Sequence, residues 1–390
     1  MTTPQELLDR ALALVPALKE RAADTEKRRA LSGDVMAELF SAGLLRYFQP
    51  VRYGGYAMDW GIQYDLGRIL AKGCPSTAWI ACVVGGHAAF VGRFPERAQD
   101  EVWGDAEDVL IATASVQKTG AVRKENGGFR LDGTWGFASG VDHAEWVMVA
   151  GRMPGETEAS QYLIPRNDFS IDDVWHVAGM RGTGTKDVIV HDAFVPTYRV
   201  LPQSVFHGVN PPGAEVNSHY IYTAEFRPFM GSSLLGPIVG TADAAMTDYL
   251  EITRARKSAI FGNAVAENPI VQTRVAEAAA ELNAADAVAR RQLARLSARG
   301  KAGEPFPPNE RAEAARDRAF IMKLCVDSTD RLVRMMGATG MYDTNPVQRH
   351  FRDIHGMATQ FGVNWDLNML PYGQWVLGLS PDAQAPSARD

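Results

Sequence analysis

The stretch Gly337 to Asn364, GATGMYDTNPVQRHFRDIHGMATQFGVN, holds the residues most open to chemical interpretation. A glycine-rich turn and a break at Asn345-Pro346 lead into a helix carrying Arg349, Arg352 and Asp353, which runs out at Gln360-Phe361-Gly362. Gln360 can orient a hydroxyl or amide by hydrogen bonding, but neither it nor Phe361 takes a proton near neutral pH. His355 lies five residues before Gln360, which is not a same-face helical spacing. A second group lies in Leu131 to Trp146, LDGTWGFASGVDHAEW, where Trp135, Phe137 and Ser139 alternate. On an extended strand such residues share a face, so two rings and a hydroxyl would meet a flat ligand together. In the apolar run Ser76 to Val91, helical spacing puts Trp79 and His87 two turns apart on one face. In ITRARKSAIFG, Arg256, with Arg254 competing, offers a guanidinium suited to bidentate phosphate contact.

Other chemistries find little support. Gly-x-Ser-x-Gly is absent, and no Ser-His-Asp set emerges from the order of residues. Asp142, His143 and Glu145 lack convincing metal-ligand spacing and the other histidines are scattered, so no metal site is expected. No glycine-rich phosphate loop follows a strand, which argues against nicotinamide binding, and RGTGTKD reads as a β-hairpin turn. The net charge of −6 without a basic run argues against nucleic acid. Three cysteines are too few for a disulfide framework and suggest a reducing, cytoplasmic setting. There is no apolar signal core and no run long enough to span a membrane.

The elements that must position these residues follow from periodicity. The 390 residues, 46% hydrophobic and 22% charged, can build a large core. Residues 1–107 form an N-terminal helical domain: Leu7, Leu8, Ala11, Leu12, Val15 and Leu18 recur at helical spacing, Ser32 precedes a second helix, and Ser76 can cap a fourth. Residues 108–205 carry short β-branched and aromatic runs separated by Asn126-Gly127-Gly128 and Asp132-Gly133, giving an antiparallel β-barrel or sandwich. Residues 206–390 form a helical bundle, with helices near Gly231 to Arg256, Pro269 to Arg299, Asn309 to Met336 and Pro346 to Gln360. The polar segment Ser380 to Asp390 is expected to fray. The fold class is α+β. Between the last two domains the loop 202–229 carries Phe206, Tyr220, Tyr222, Phe226 and Phe229. It reads either as a lid over a flat, apolar substrate or as rings that pack the loop down.

This order of domains resembles the acyl-CoA dehydrogenase superfamily over essentially the whole chain. The motifs GCPSTAWIACVVGGH (Gly73 to His87), LDGTWGFASGVDHAEW and DVWHVAGMRGTGTKDVIV (Asp173 to Val190), with the Arg349 to Asp353 helix, look most like oxygenase components of two-component flavin-dependent monooxygenases. The kin suggested are steroid-ring phenol hydroxylases and, more distantly, hydroxyphenylacetate hydroxylase. The resemblance implies reduced FMN or FAD from a separate NAD(P)H-dependent reductase, O2 as co-substrate, and a C4a-(hydro)peroxyflavin shielded from water. The substrate would be a small aromatic or polycyclic molecule, and the assembly a homotetramer.

The resemblance also assigns residues. Ser139 would lie beside flavin N5, with Trp135 and Phe137 along the ring system. Trp79 and His87 would border flavin and substrate, and Ser115 would lie on the substrate side. Arg256, Ser258 and Gln272 would hold cofactor phosphates across a subunit interface. Gln360-Phe361-Gly362 departs from both patterns: the triplet stands where the dehydrogenases carry Tyr-Glu-Gly with its catalytic carboxylate, and Gln360 itself where the phenol hydroxylases carry a histidine. His355 or His87 would then handle the proton, or the substrate needs no base. N-oxygenation of an amine or amino sugar, a nucleophilic peroxide route, an acyl-CoA dehydrogenase or oxidase with a relocated base, and a non-catalytic flavin carrier are the competing readings.

Overall fold

The computed structural model describes residues 2–258 and 262–379. The segment Ser380 to Asp390, expected to fray, lies outside them. Helix α1 (Pro4–Arg28) starts at a capping box, Thr3 with Glu6, and buries the stripe Leu7, Ala11, Leu18 and Ala22. Helix α2 (Gly33–Ser41) is capped by the Ser32 hydroxyl on the Val35 amide. Helices α3 (Ile62–Ala71) and α4 (Pro75–Gly86) follow, then α5 (Ala88–Val91) and α6 (Glu96–Trp103). Ser76 does not cap α4: Cys74 is the capping residue, and Pro75 takes the first turn, where a missing N–H costs nothing. Almost every α4 side chain is buried, which suits a helix packed on several sides.

The β region comprises β1 (Ile111–Ala114), β2 (Val116–Glu125), β3 (Gly128–Ala138), β4 (Trp146–Gly151), β5 (Ser160–Pro165), β6 (Phe169–Asp172), β7 (Lys186–Pro196) and β8 (Val200–Pro202). They make two four-stranded sheets, ordered β1-β4-β5-β8 and β2-β3-β7-β6. The barrel alternative fails, because neither sheet closes, and the pairing is not wholly antiparallel, because β1 runs parallel to β4. Leu131, Trp135, Val147, Val149, Ile164, Val188 and Val190 fill the space between the sheets. The chain crosses from one sheet to the other at Ser115, between β1 and β2.

The loop region folds into short helices, α7 (Gln203–His207), α8 (Tyr220–Thr223) and α9 (Arg227–Met230). Its rings pack inward. Trp60 stacks on Phe48 and meets Phe226 and Phe229 edge-on, while Phe90 meets Phe206 and Phe226. The buried Arg93 guanidinium donates to the carbonyls of Phe206, Gly208, Tyr222 and Ala224. The remaining helices are α10 (Leu235–Ala255), α11 (Pro269–Ala302), α12 (Pro308–Met336), α13 (Pro346–Ala358) and α14 (Trp365–Val376). Helix α14 escaped the sequence reading because Pro371 interrupts it.

Candidate active site

Helix α4 brings Trp79 against the end of β3, where its indole Nε1 lies 3.4 Å from Ser139 Oγ. Ser139 Oγ is 2.8 Å from Thr185 Oγ1, and Thr185 Oγ1 is 2.7 Å from Thr183 Oγ1. Thr183 donates in turn to the Met180 carbonyl at 2.9 Å. These hydroxyls belong to RGTGTKD, which is not a hairpin turn. It is one 3-10 turn, Arg181–Thr183, leading through the left-handed Gly184 into β7. The turn is pinned from the bundle: the buried Asp353 carboxylate of α13 accepts the Met180 amide at 2.6 Å. Burial pushes the Asp353 pKa up to about 6, against the Met180 hydrogen bond, which lowers it.

Alternation fails at Phe137. The residue has φ of 67°, and the β3–β7 register slips between Trp135 and Ala138. Trp135 therefore faces inward, fully buried, with Nε1 donating to the Ala150 carbonyl at 2.7 Å. Phe137 turns outward and is 59% exposed, with Lys118 Nζ 5.6 Å from its ring centroid. Trp135 is thus an inter-sheet core residue, not part of an aromatic face shared with Phe137 and Ser139. A non-glycine residue in the left-handed region stores strain that recurs at binding sites.

His87 follows the last turn of α4, and its ring meets β1. Nδ1 donates to the Ile111 carbonyl at 2.7 Å, which leaves Nε2 to accept from the Thr113 hydroxyl at 3.2 Å. Burial lowers the His87 pKa to about 4, the Ile111 hydrogen bond opposing, so the imidazole is neutral and a weak base. Ser115 is exposed, one residue before Val116, which pairs with Gly136 beside Phe137. Helix α4 thus touches Ser139 through Trp79 and β1 through His87, while Ser115 and Phe137 lie on the neighbouring β1–β2 and β3 segments.

The other expected residues do not join this cluster. Tyr220, Tyr222, Phe226 and Phe229 are buried core, so the lid reading of their loop gives way to the packing one. Tyr220 Oη accepts from the Trp60 amide and Tyr222 Oη donates to the Phe48 carbonyl. His355 is turned toward α12, with Nε2 2.8 Å from Asp330 Oδ1. Gln360 accepts from the Gly362 amide through its side-chain carbonyl, so that oxygen is engaged in its own turn. Arg256 donates to the Met335 and Met336 carbonyls at the end of α12. Ser258 lies two residues on, and the exposed Gln272 donates to the Ala266 carbonyl. Sequence reasoning missed Thr183 and Thr185, although the paired threonines in RGTGTKD were the available signal.

A cleft of about 280 Å³ lies elsewhere, between α9, α12 and α14, bordered by Arg227, Arg311, Arg318 and Trp375. Its lining has no hydroxyl, imidazole or carboxylate to handle a proton. Among the described residues there is no His/Cys/Asp/Glu group able to hold a metal ion. No helix among them is long and apolar enough to cross a membrane.

Helices flanking a two-sheet β region make up the acyl-CoA dehydrogenase-like fold. Residues 233–365 match the family model described as acyl-CoA dehydrogenase, C-terminal domain. The chain is 34% identical to the oxygenase subunit HsaA of a flavin-dependent monooxygenase from Rhodococcus jostii (strain RHA1), over 95% of this chain and 98% of that protein. It is 30% identical to the oxygenase component of an FADH(2)-dependent resorcinol hydroxylase from Rhizobium sp. (strain MTP-10005), over 97% of this chain and 95% of that one. The crystal structure of XiaF from Streptomyces sp., in complex with FADH2 and glycerol, superposes with a TM-score of 0.91 at 25% identity, over 98% of this chain and 97% of XiaF. The chain belongs to the oxygenase components of flavin-dependent monooxygenases within the acyl-CoA dehydrogenase superfamily.

Proposed function

We propose that this enzyme takes reduced FMN or FAD from a separate NAD(P)H-dependent flavin reductase and uses O2 to hydroxylate a small aromatic or polycyclic molecule. The observation that carries the reading is the Ser139 hydroxyl, held by Trp79 and Thr185 two residues beyond the outward-turned Phe137. A hydrogen-bonding hydroxyl and an exposed ring so close along the chain suit the edge and the face of a flat heteroaromatic group such as an isoalloxazine. Bound reduced flavin supplies the electrons that activate O2. Phe137 offers it a face, Ser139 fixes one edge by hydrogen bonding, and the buried Trp79 keeps water from that edge. His87 and Ser115 border the substrate side. Arg256, Ser258 and Gln272 contact the cofactor phosphates across a subunit interface in a homotetramer.

The proton inventory narrows the substrate. Gln360 cannot abstract a proton, and His87 is held neutral with both ring nitrogens engaged. The cluster therefore favours an aromatic ring that is electron-rich or acidic without help from a base. The same inventory supports a second reading, N-oxygenation of an aromatic amine, whose nitrogen is already unprotonated at neutral pH.

The test mixes the purified chain with photoreduced FMN or FAD under nitrogen, then adds ¹⁸O2 and a panel of phenols, resorcinols and aromatic amines. One ¹⁸O atom per product is expected, with no NADH oxidation until a reductase is added. Bleaching of bound oxidised flavin by an acyl-CoA, without oxygenated product, would overturn the proposal.

A further inference from the structure

Each hydroxyl in the Ser139 cluster has one proton; the Ser139–Thr185 and Thr185–Thr183 contacts admit either donor, and the carbonyl at the end of the relay sets the direction. A carbonyl only accepts, so the Thr183 proton is committed to Met180. Thr183 must then accept at 2.7 Å, so Thr185 donates to it. With its own proton spent, Thr185 accepts from Ser139 at 2.8 Å. Trp79 Nε1–H only donates, and it points at Ser139 Oγ. Ser139 is left with no free proton and one unused lone pair. The chain of commitment starts at a peptide anchored by Asp353 and is buried throughout, with Ser139, Thr183 and Thr185 each below one-tenth exposed.

A hydroxyl of fixed polarity discriminates between ligands. It receives an N–H and repels a bare nitrogen lone pair. Reduced flavin carries a hydrogen at N5; oxidised flavin presents a lone pair there. We infer that Thr185 and Thr183 are positioning residues that make Ser139 an obligate acceptor, and that this relay sets the enzyme's preference for reduced over oxidised flavin. The inference rests on the proposed placement of Ser139 at the flavin edge. No step of oxygen chemistry enters it, because the discrimination is a matter of binding alone.

The experiment is a pair of equilibrium titrations, anaerobic with reduced flavin and aerobic with oxidised flavin, using FMN and FAD in turn. The wild-type chain is compared with Thr185→Val, Thr183→Val and Thr185→Ser. Valine nearly matches threonine in shape but breaks the relay, freeing the Ser139 proton to turn outward. In both valine variants oxidised flavin should gain affinity and reduced flavin lose it, the Kd ratio moving toward unity on the order of tenfold. Thr185→Ser restores the hydroxyl and should keep the wild-type ratio. Fold is controlled by thermal melts, and Thr183→Val stands in where Thr185→Val does not fold. An unchanged ratio in a folded valine variant, while the wild type binds flavin, would overturn the relay and leave the proposed function standing. A wild-type chain that binds neither redox form would overturn that function and this inference together.

Discussion

At the scale of single residues, the site is governed by where protons are held. His87 is the clearest case. Its usual pKa of about 6.5 falls to about 4 through burial. A base whose folded pKa is depressed contributes stability above its unfolded pKa, and that stability fades as pH falls from about 6.5 toward about 4. His87 should therefore show no titration between about pH 5 and 8 in ¹⁵N-imidazole NMR. A midpoint near its ordinary value would refute the burial argument. Replacing His87 with Ala strands the Ile111 carbonyl and the Thr113 hydroxyl, and should cost about 2 kcal/mol in urea unfolding. The sequence named His87, Ser139 and Trp79 by their motifs. It could not show that Phe137 would adopt a positive φ, because that follows from how β3 pairs with β7.

Among elements, two buried charges hold the helices and sheets in place. Asp353 reaches from α13 to the Met180 amide, and burial lifts its pKa from 3.8 to about 6. The sign is opposite to an ordinary salt-bridged aspartate. Its contribution is full below about pH 4 and is lost as pH rises through about 6, where the unfolded chain ionises more easily. Asp353→Asn keeps an acceptor for the amide. It should match wild type near pH 4 and exceed it at pH 7 by up to about 3 kcal/mol in denaturant melts. A gain of equal size at both pH values would count against this. Arg93 acts differently, its lone guanidinium organising the carbonyls of the α7–α9 region. Burial lowers its pKa to about 9. Arg93→Met should cost about 3 kcal/mol by leaving those carbonyls unpaired, seen as a drop in Tm. Neither role was visible in the sequence, since partners more than 100 residues away carry no local signature.

For the whole molecule, exposed apolar side chains concentrate toward the C-terminus: Phe361, Trp365, Leu367, Leu370, Val376 and Leu377. Exposed apolar side chains at this density suit burial between copies of the chain. The proposed tetramer should appear as the corresponding mass in light scattering. Leu370→Glu together with Leu377→Glu should shift that mass downward, and an unshifted mass would place the interface elsewhere.

Periodicity and turn residues by themselves determined the order of helices, strands and helices, the capping of α2 and the stripe of α1, while the flavin-oxygenase reading came from resemblance of motifs. These are local properties, set by spacings of 2 and 3.6 residues and by side chains a few positions apart. Only tertiary structure decided that the sheets stay open, that Trp135 turns inward while Phe137 turns out, that the aromatic loop is core, and that Thr183 and Thr185 reach Ser139. Each of these depends on which distant segment lies alongside, and hydrogen-bond direction exists only once donor and acceptor are brought together.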